Sequence, residues 1–186
     1  MKRRLVWLRA TCTILLLLSG GTARAEDADV ADPYLVKSLP HATVTLARAL
    51  SMIKPPATAL SAKFEVGDRG RLSLSIYVAA YGVRDANRGS LEEVSGDPLA
   101  AQWSPSTETL RNAFDVSEAT TQRRLLAKTK LTLLKIARMA QDERPGRVIS
   151  VIPTVVAGKF ECIVLMLGAN SQLATMAYDL KTGHLR

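Results

Sequence analysis

Apolar and polar residues alternate most regularly at positions 71–78. Leu72, Leu74, Ile76 and Val78 fall on one side, and Arg71, Ser73, Ser75 and Tyr77 on the other. Successive side chains of a strand point to opposite faces, so this pattern predicts an antiparallel strand with one wet face. A shorter alternation at 62–66 (AKFEV) predicts its hairpin partner across the turn Gly67-Asp68-Arg69-Gly70, and a third strand is expected at 90–94, after a polar loop at 82–89. Three further strand-like runs follow near the C-terminus: RVISVIPTVV, KFECIVLMLG and QLATMAYDL. The middle one is apolar on both faces, with Cys162, Val164 and Met166 on one and Ile163, Leu165 and Leu167 on the other. A helix covers only one face, so the other is expected to pack on the first half of the chain or on the connector. Pro153 has no amide hydrogen, which predicts that its strand lies at an edge or carries a bulge.

Helical spacing appears twice. Leu46, Ala49, Leu50 and Ile53 form one apolar stripe, opened by Thr45 as N-cap and stopped by Pro55-Pro56. The second amphipathic segment is LTLLKIARMAQDERPG, from position 131. Between the two halves, residues 104–130 read as a connector, with a short helix at 107–114 and another at 117–126. Its cations Arg123, Arg124, Lys128 and Lys130 read as a solvated face. Residues 26–39 are acidic, lack a period and contain Pro33, which suggests an irregular arm over the surface. Trp103 is expected to pin the connector onto the core.

The two halves repeat one order. VTLARALSM (44–52) lies over LTLLKIARM (131–139), GRLSLSIYVA over GKFECIVLML, and LEEVSG (91–96) over YDLKTG (178–183). Three matches in register predict a duplicated helix-plus-hairpin unit. The expected fold class is α+β: two related units, 44–103 and 131–186, each a helix packed on a small antiparallel sheet.

A helix opening with Thr-Leu, a β-hairpin and a last strand ending D-x-x-T-G resembles the PepSY domain, a small α+β module also found in propeptides of secreted metallopeptidases. The second unit carries the motif at Asp179, Thr182 and Gly183, whereas the first has Glu92-Glu93-Val94-Ser95-Gly96 in its place. The resemblance implies a non-catalytic extracytoplasmic module that binds, and in some members inhibits, a peptidase or another envelope protein. Asp179, Thr182 and Gly183 read as a structural turn: the carboxylate bonds forward to turn amides and the glycine supplies a positive φ.

Charge narrows the partners. Residues 1–25 have the pattern of an export signal, with a basic start (Lys2, Arg3, Arg4, Arg9), a short apolar run and a small-residue cleavage site at Ala23 and Ala25. The apolar run is about half the ~20 residues that span a bilayer, so no stable membrane anchor is expected after cleavage. The whole chain carries +8, but five of its 25 cations leave with the signal while all 17 acids remain. A balance of +3 gives no cause to expect nucleic acid. Cys12 leaves too, so Cys162 is alone and cannot form an intramolecular disulfide. The expected location is secreted, in the periplasm if the host is Gram-negative.

Catalytic, cofactor and metal residues are not found. His41, His184 and Cys162 belong to no spaced ligand set, and Cys162 sits in a strand as a small hydrophobe. Glu92 and Glu93 are adjacent on a strand and so point apart. The expected function is a non-enzymatic module that binds an envelope protein or peptidase. The alternative is a small-ligand module using the groove between the two units.

Overall fold

The computed structural model describes residues 32–67, 70–84 and 89–186. The cleavage residues Ala23 and Ala25 lie outside these. The fold is α+β, with four α-helices and one seven-stranded antiparallel sheet among the described residues.

The chain begins with α1 (Pro33–Ser38) and a single 3-10 turn (Leu39–His41). This corrects the irregular arm expected over 26–39 from Pro33 onward; its residues 26–31 lie outside the described residues. Pro33 starts a helix here because the first turn needs no amide from it, and the Asp32 carboxylate caps the Tyr34 amide at 2.8 Å. Leu35 and Leu39, one turn apart, are both buried.

Helix α2 (Leu46–Met52) leads into β1 (Thr58–Val66), β2 (Leu72–Ala79) and β3 (Leu91–Gly96). Helix α4 (Leu133–Glu143) leads into β5 (Arg147–Val156), β6 (Lys159–Leu167) and β7 (Leu173–Asp179). Both helices open on a threonine cap three residues before the capped amide: Thr45 on Arg48 at 3.1 Å and Thr132 on Lys135 at 3.2 Å. The β5–β6 hairpin closes on Ala157 and Gly158 with φ of 48° and 76°, both positive as a two-residue turn matched to strand twist requires.

The sheet order is β4-β3-β2-β1-β5-β6-β7, so β1 and β5 join the two halves. They meet at just two residue pairs, Ala62 with Val151 and Lys63 with Ser150. β5 is therefore central, not an edge, and its bulge falls between Val148 and Ser150. Pro153 lies beyond the short junction, opposite Cys162.

Helices α2 and α4 lie side by side on one face of the sheet. There Leu60, Ala62, Phe64, Leu74, Ile76, Val151, Cys162, Val164 and Met166 form the core with Leu46, Ala49, Leu133, Ile136, Ala137 and Ala140. In the first half the opposite face of β2 was expected to be wet, and it is not. Ser75 is 3% exposed and Tyr77 8%, because the connector folds back over them. That connector holds an edge strand, β4 (Ser106–Thr109), and a 14-residue helix, α3 (Ala113–Leu126). The short helix expected at 107–114 is thus a strand ending in a helix cap. β-Branched Thr107 and Thr109 suit the free edge of β3, and Asn112 caps the Phe114 amide at 2.8 Å to start α3. Helix α3 reaches as far as β5. Ile163, Leu165 and Ala177 on that same face, farther along the sheet, are half-buried.

Candidate functional site

The layer between α3 and the sheet is polar. Strand alternation sends Lys63 and Glu65 of β1, Ser75 and Tyr77 of β2 and Glu93 of β3 to this face, and α3 answers with Asp115, Glu118 and Gln122. The Tyr77 hydroxyl donates to Asp115 Oδ1 at 3.1 Å, Ser75 Oγ donates to Glu65 Oε1 at 2.8 Å, and Gln122 Nε2 donates to Glu118 Oε1 at 3.0 Å. Lys63 Nζ lies 2.7 Å from Glu65 Oε2. Burial alone would lower the Lys63 pKa, but Glu65, Glu118 and Glu93 outweigh it and hold the ammonium charged. Burial, then Asp115, pushes the Tyr77 phenol far up, so it remains a donor. Burial also raises the Glu118 carboxyl above the usual carboxylate range, against the pull of Lys63.

Toward the margin of the sheet this layer opens into a cleft of about 450 Å³. Glu93, Glu108 and Thr109 line it from the strands, Leu110, Arg111 and Asn112 from the loop, and Asp115 from the first turn of α3. Three carboxylates face one guanidinium. Glu93 and Glu108 are directly opposed in the β3–β4 pairing, an arrangement that costs stability instead of adding it. Among the described residues no group of three or more His, Cys, Asp or Glu is arranged to hold a metal ion. The cleft's chemistry is therefore that of an acceptor-rich, anionic recess.

The outer edge of β4 bounds the cleft. The Leu110 amide donates to the Leu91 carbonyl at 2.9 Å, which fixes the phase of the ladder. Bonded pairs alternate in an antiparallel ladder, so Ser106 and Glu108 bond to β3 while Thr107 and Thr109 turn their amides and carbonyls outward. All four β4 residues are exposed.

No family model and no curated protein matches the chain. Among solved structures, an inferred lipoprotein from Clostridium difficile 630 aligns over 78% of this chain and 91% of its own, with 15% identity and a TM-score of 0.38.

Apart from Glu93, the residues singled out from sequence lie away from this cleft. Asp179 Oδ1 accepts from the amides of Lys181 (2.7 Å) and Thr182 (3.0 Å), and its Oδ2 pairs with Arg186, whose Nε also lies 3.4 Å from Glu161. Arg186, then the Thr182 and Lys181 amides, hold the Asp179 carboxyl down at about 2. Gly183, at φ 78°, donates to the Asp179 carbonyl. These residues bind the chain end to β7. Cys162 is fully buried, and burial pushes its thiol up. His41 and His184 are exposed at opposite ends of the described chain. Trp103 is buried beside Gly96. The basic run is not one solvated face: Arg123 is buried, Arg124 and Lys130 are exposed, and Lys128 lies 4.8 Å from the centre of the Phe160 ring. The seam where α2, α4, β1 and β5 meet holds a cavity of about 10 Å³, lined by Thr45, Leu46, Phe64, Gln141, Arg147 and Val148. That is room for about one water.

Glu92 and Glu93 do diverge, but Glu93 gathers Glu108 and Asp115 from other elements. Sequence reasoning missed both. An alternation Ser106-Thr107-Glu108-Thr109 ahead of the Asn112 cap was the available signal. A second miss concerns the repeat. Val94 opposes Ile76 as Met176 opposes Val164, so Asp97, not Glu92, stands where Asp179 stands in the other half. The Leu99 amide donates to Asp97 Oδ1 at 2.8 Å, the counterpart of the bond from Lys181 to Asp179.

Proposed function

We propose that this protein is an exported, non-catalytic binding module built from two related, PepSY-like units, and that it docks an envelope protein or peptidase. The observation carrying the docking role is the open β4 edge beside a recess of about 450 Å³. Exposed sheet edges receive extended segments of partner chains through main-chain hydrogen bonds, with neighbouring pockets giving side-chain selectivity. The matched threonine caps and the Asp97/Asp179 turns support common descent of the two units. Export rests on the pattern of residues 1–25; among the described residues no helix is long and apolar enough to cross a membrane.

Crosslinking in the native envelope, with the mature chain from Glu26 as bait, tests this reading. We expect one dominant envelope protein or peptidase to be recovered and to be lost with Gly183→Val, which forces a β-branched residue to φ 78°. A captured peptidase is then titrated with the module to read inhibition. Recovery of no specific partner, or turnover that depends on one side chain, would defeat the proposal.

A further inference from the structure

We infer that the partner contributes an extended, basic segment that adds to β4 as an eighth strand, with Lys or Arg side chains entering the acidic cleft. This rests on the binding-module reading and specifies the segment that is bound. Two independent features of the same margin lead to it.

The first is the backbone. Thr107 and Thr109 present outward amides and carbonyls at a strand that ends the sheet. The opposite margin differs. There the C-terminal residues fold back along β7: the Arg186 amide donates to the Ala177 carbonyl, Leu185 bridges Tyr178, and the Asp179 amide donates to His184. One end of the sheet is thus partly covered by its own chain, while β4 is short and uncharged along its outward-facing positions. Natural edges are commonly protected by lysine, proline or a bulge. β4 has none of these: its sequence is Ser-Thr-Glu-Thr and its register with β3 is unbroken.

The second feature is charge. Side chains of an added strand alternate, so every second one falls on the α3 face, above Glu108 and Glu93. The cleft lining carries three acids and one arginine, opposite in sign to the +3 balance of the mature chain. Glu93 and Glu108 repel one another across the ladder, and an inserted ammonium or guanidinium relieves that repulsion. Asp115 is already engaged by Tyr77, which fixes its carboxylate at the cleft wall. An acidic segment would add charge to this repulsion. A neutral one would gain only the main-chain bonds.

The probes are two fluorescein-labelled decapeptides, one alternating Thr and Lys and one alternating Thr and Glu, titrated into the mature protein and read by anisotropy. We expect saturable binding of the Lys peptide, weakening as salt rises, and at least about tenfold preference over the Glu peptide. Thr107→Pro removes an outward amide while leaving the bonds of Ser106 and Glu108 to β3, so it should fold and weaken binding by about tenfold or more. Glu108→Lys, at an exposed position, leaves two acids against two cations in the lining, so it should abolish the preference for the Lys peptide. Circular dichroism confirms that both variants fold. Unchanged affinity in Thr107→Pro, equal binding of the two peptides, or no saturable binding of either overturns the inference. Crosslinking with the Thr107→Pro bait separates the two readings. Partner capture equal to wild type, with no peptide binding, leaves the docking role standing on another surface. With no capture by either bait and no peptide binding, both readings fall.

Discussion

Helices α4 and α3 occupy opposite faces of one sheet, and different physics seats them. Beneath α4 lie Leu133, Ile136, Ala137 and Ala140 against Val148, Val151 and Val164, a dry interface of side chains that have nowhere else to go. Beneath the N-terminal half of α3 lie Asp115, Glu118 and Gln122 against Lys63, Ser75 and Tyr77; the small Ala119 is buried among them, and Leu125 and Leu126 bury the larger apolar surface at the far end. The first interface is held by area removed from water and by close packing. The second exchanges hydrogen bonds with water for hydrogen bonds within the protein, a trade whose net return per bond is small. The face that fixes the fold is therefore α4's, and the face free to serve binding is α3's. The open cleft and the β4 edge, which no strand among the described residues covers, adjoin the polar seat.

Truncation gives the largest expected separation. Ile136 is fully buried on α4, and Ile136→Ala should destabilise by ~2–5 kcal/mol, transfer loss and cavity together. Gln122 is almost as buried, yet its Oε1 finds no protein partner among the described residues and its amide bonds only within α3. Gln122→Leu should therefore change stability by less than about 1.5 kcal/mol in either direction. Urea unfolding of the two variants beside the parent decides it. Comparable losses would mean that the polar seat is as much a part of the core as the apolar one.

A smaller effect tests the seat's chief bond. Tyr77→Phe removes the donor to Asp115 and retains the ring, so a loss of about 0.5–1.5 kcal/mol is expected. Amide exchange should quicken along the first two turns of α3 while α4 keeps its protection. Uniform acceleration across both helices would show that the sheet faces open together and that the contrast drawn between them is wrong.

The two seats were also unequally legible in the sequence. Helix α4 declares itself: Thr132 caps it and its apolar residues recur on one stripe. The strands under it alternate plainly. Helix α3 hides, because its inward residues Asp115, Glu118, Gln122 and Arg123 are of types that ordinarily face water. Ser75 and Tyr77 accordingly read as a wet face, when each is buried by partners recruited from about forty residues downstream. Strand β4 hides for a different reason. Four residues carry too little period to be told from helix, and only the free edge of β3 decides their conformation. The cleft inherits both difficulties, since its carboxylates come from β3, β4 and α3. Pro33 misled in the other direction: a helix start was read as a break. The likeness of the two halves was legible in their helices and hairpins, but the third match drawn between them followed Ser-Gly and Thr-Gly letters instead of ladder positions. The longer β2–β3 loop shifts the true counterpart of Asp179 to Asp97.

The finest test concerns Glu118, whose carboxyl faces Lys63 yet lies in a seat that dehydrates it. Burial raises its folded-state pKa above the ordinary value, so the folded chain holds this proton more tightly than the unfolded chain does. The resulting stabilisation is complete below the ordinary carboxylate range and is lost as pH rises through the raised value. Above that, the ionised group remains in the seat at a cost that Lys63 only partly offsets. Glu118→Gln retains an oxygen for the Gln122 amide and has no proton to lose. Thermal unfolding of parent and variant should therefore coincide in acid, diverge in favour of the variant as Glu118 ionises, and run parallel at neutral pH. Were the variant the less stable of the two at neutral pH, the Lys63 attraction would outweigh dehydration. The α3 seat would then be an ion-paired clamp, drawn down by charge, and no longer the weakly held face that the comparison with α4 makes it.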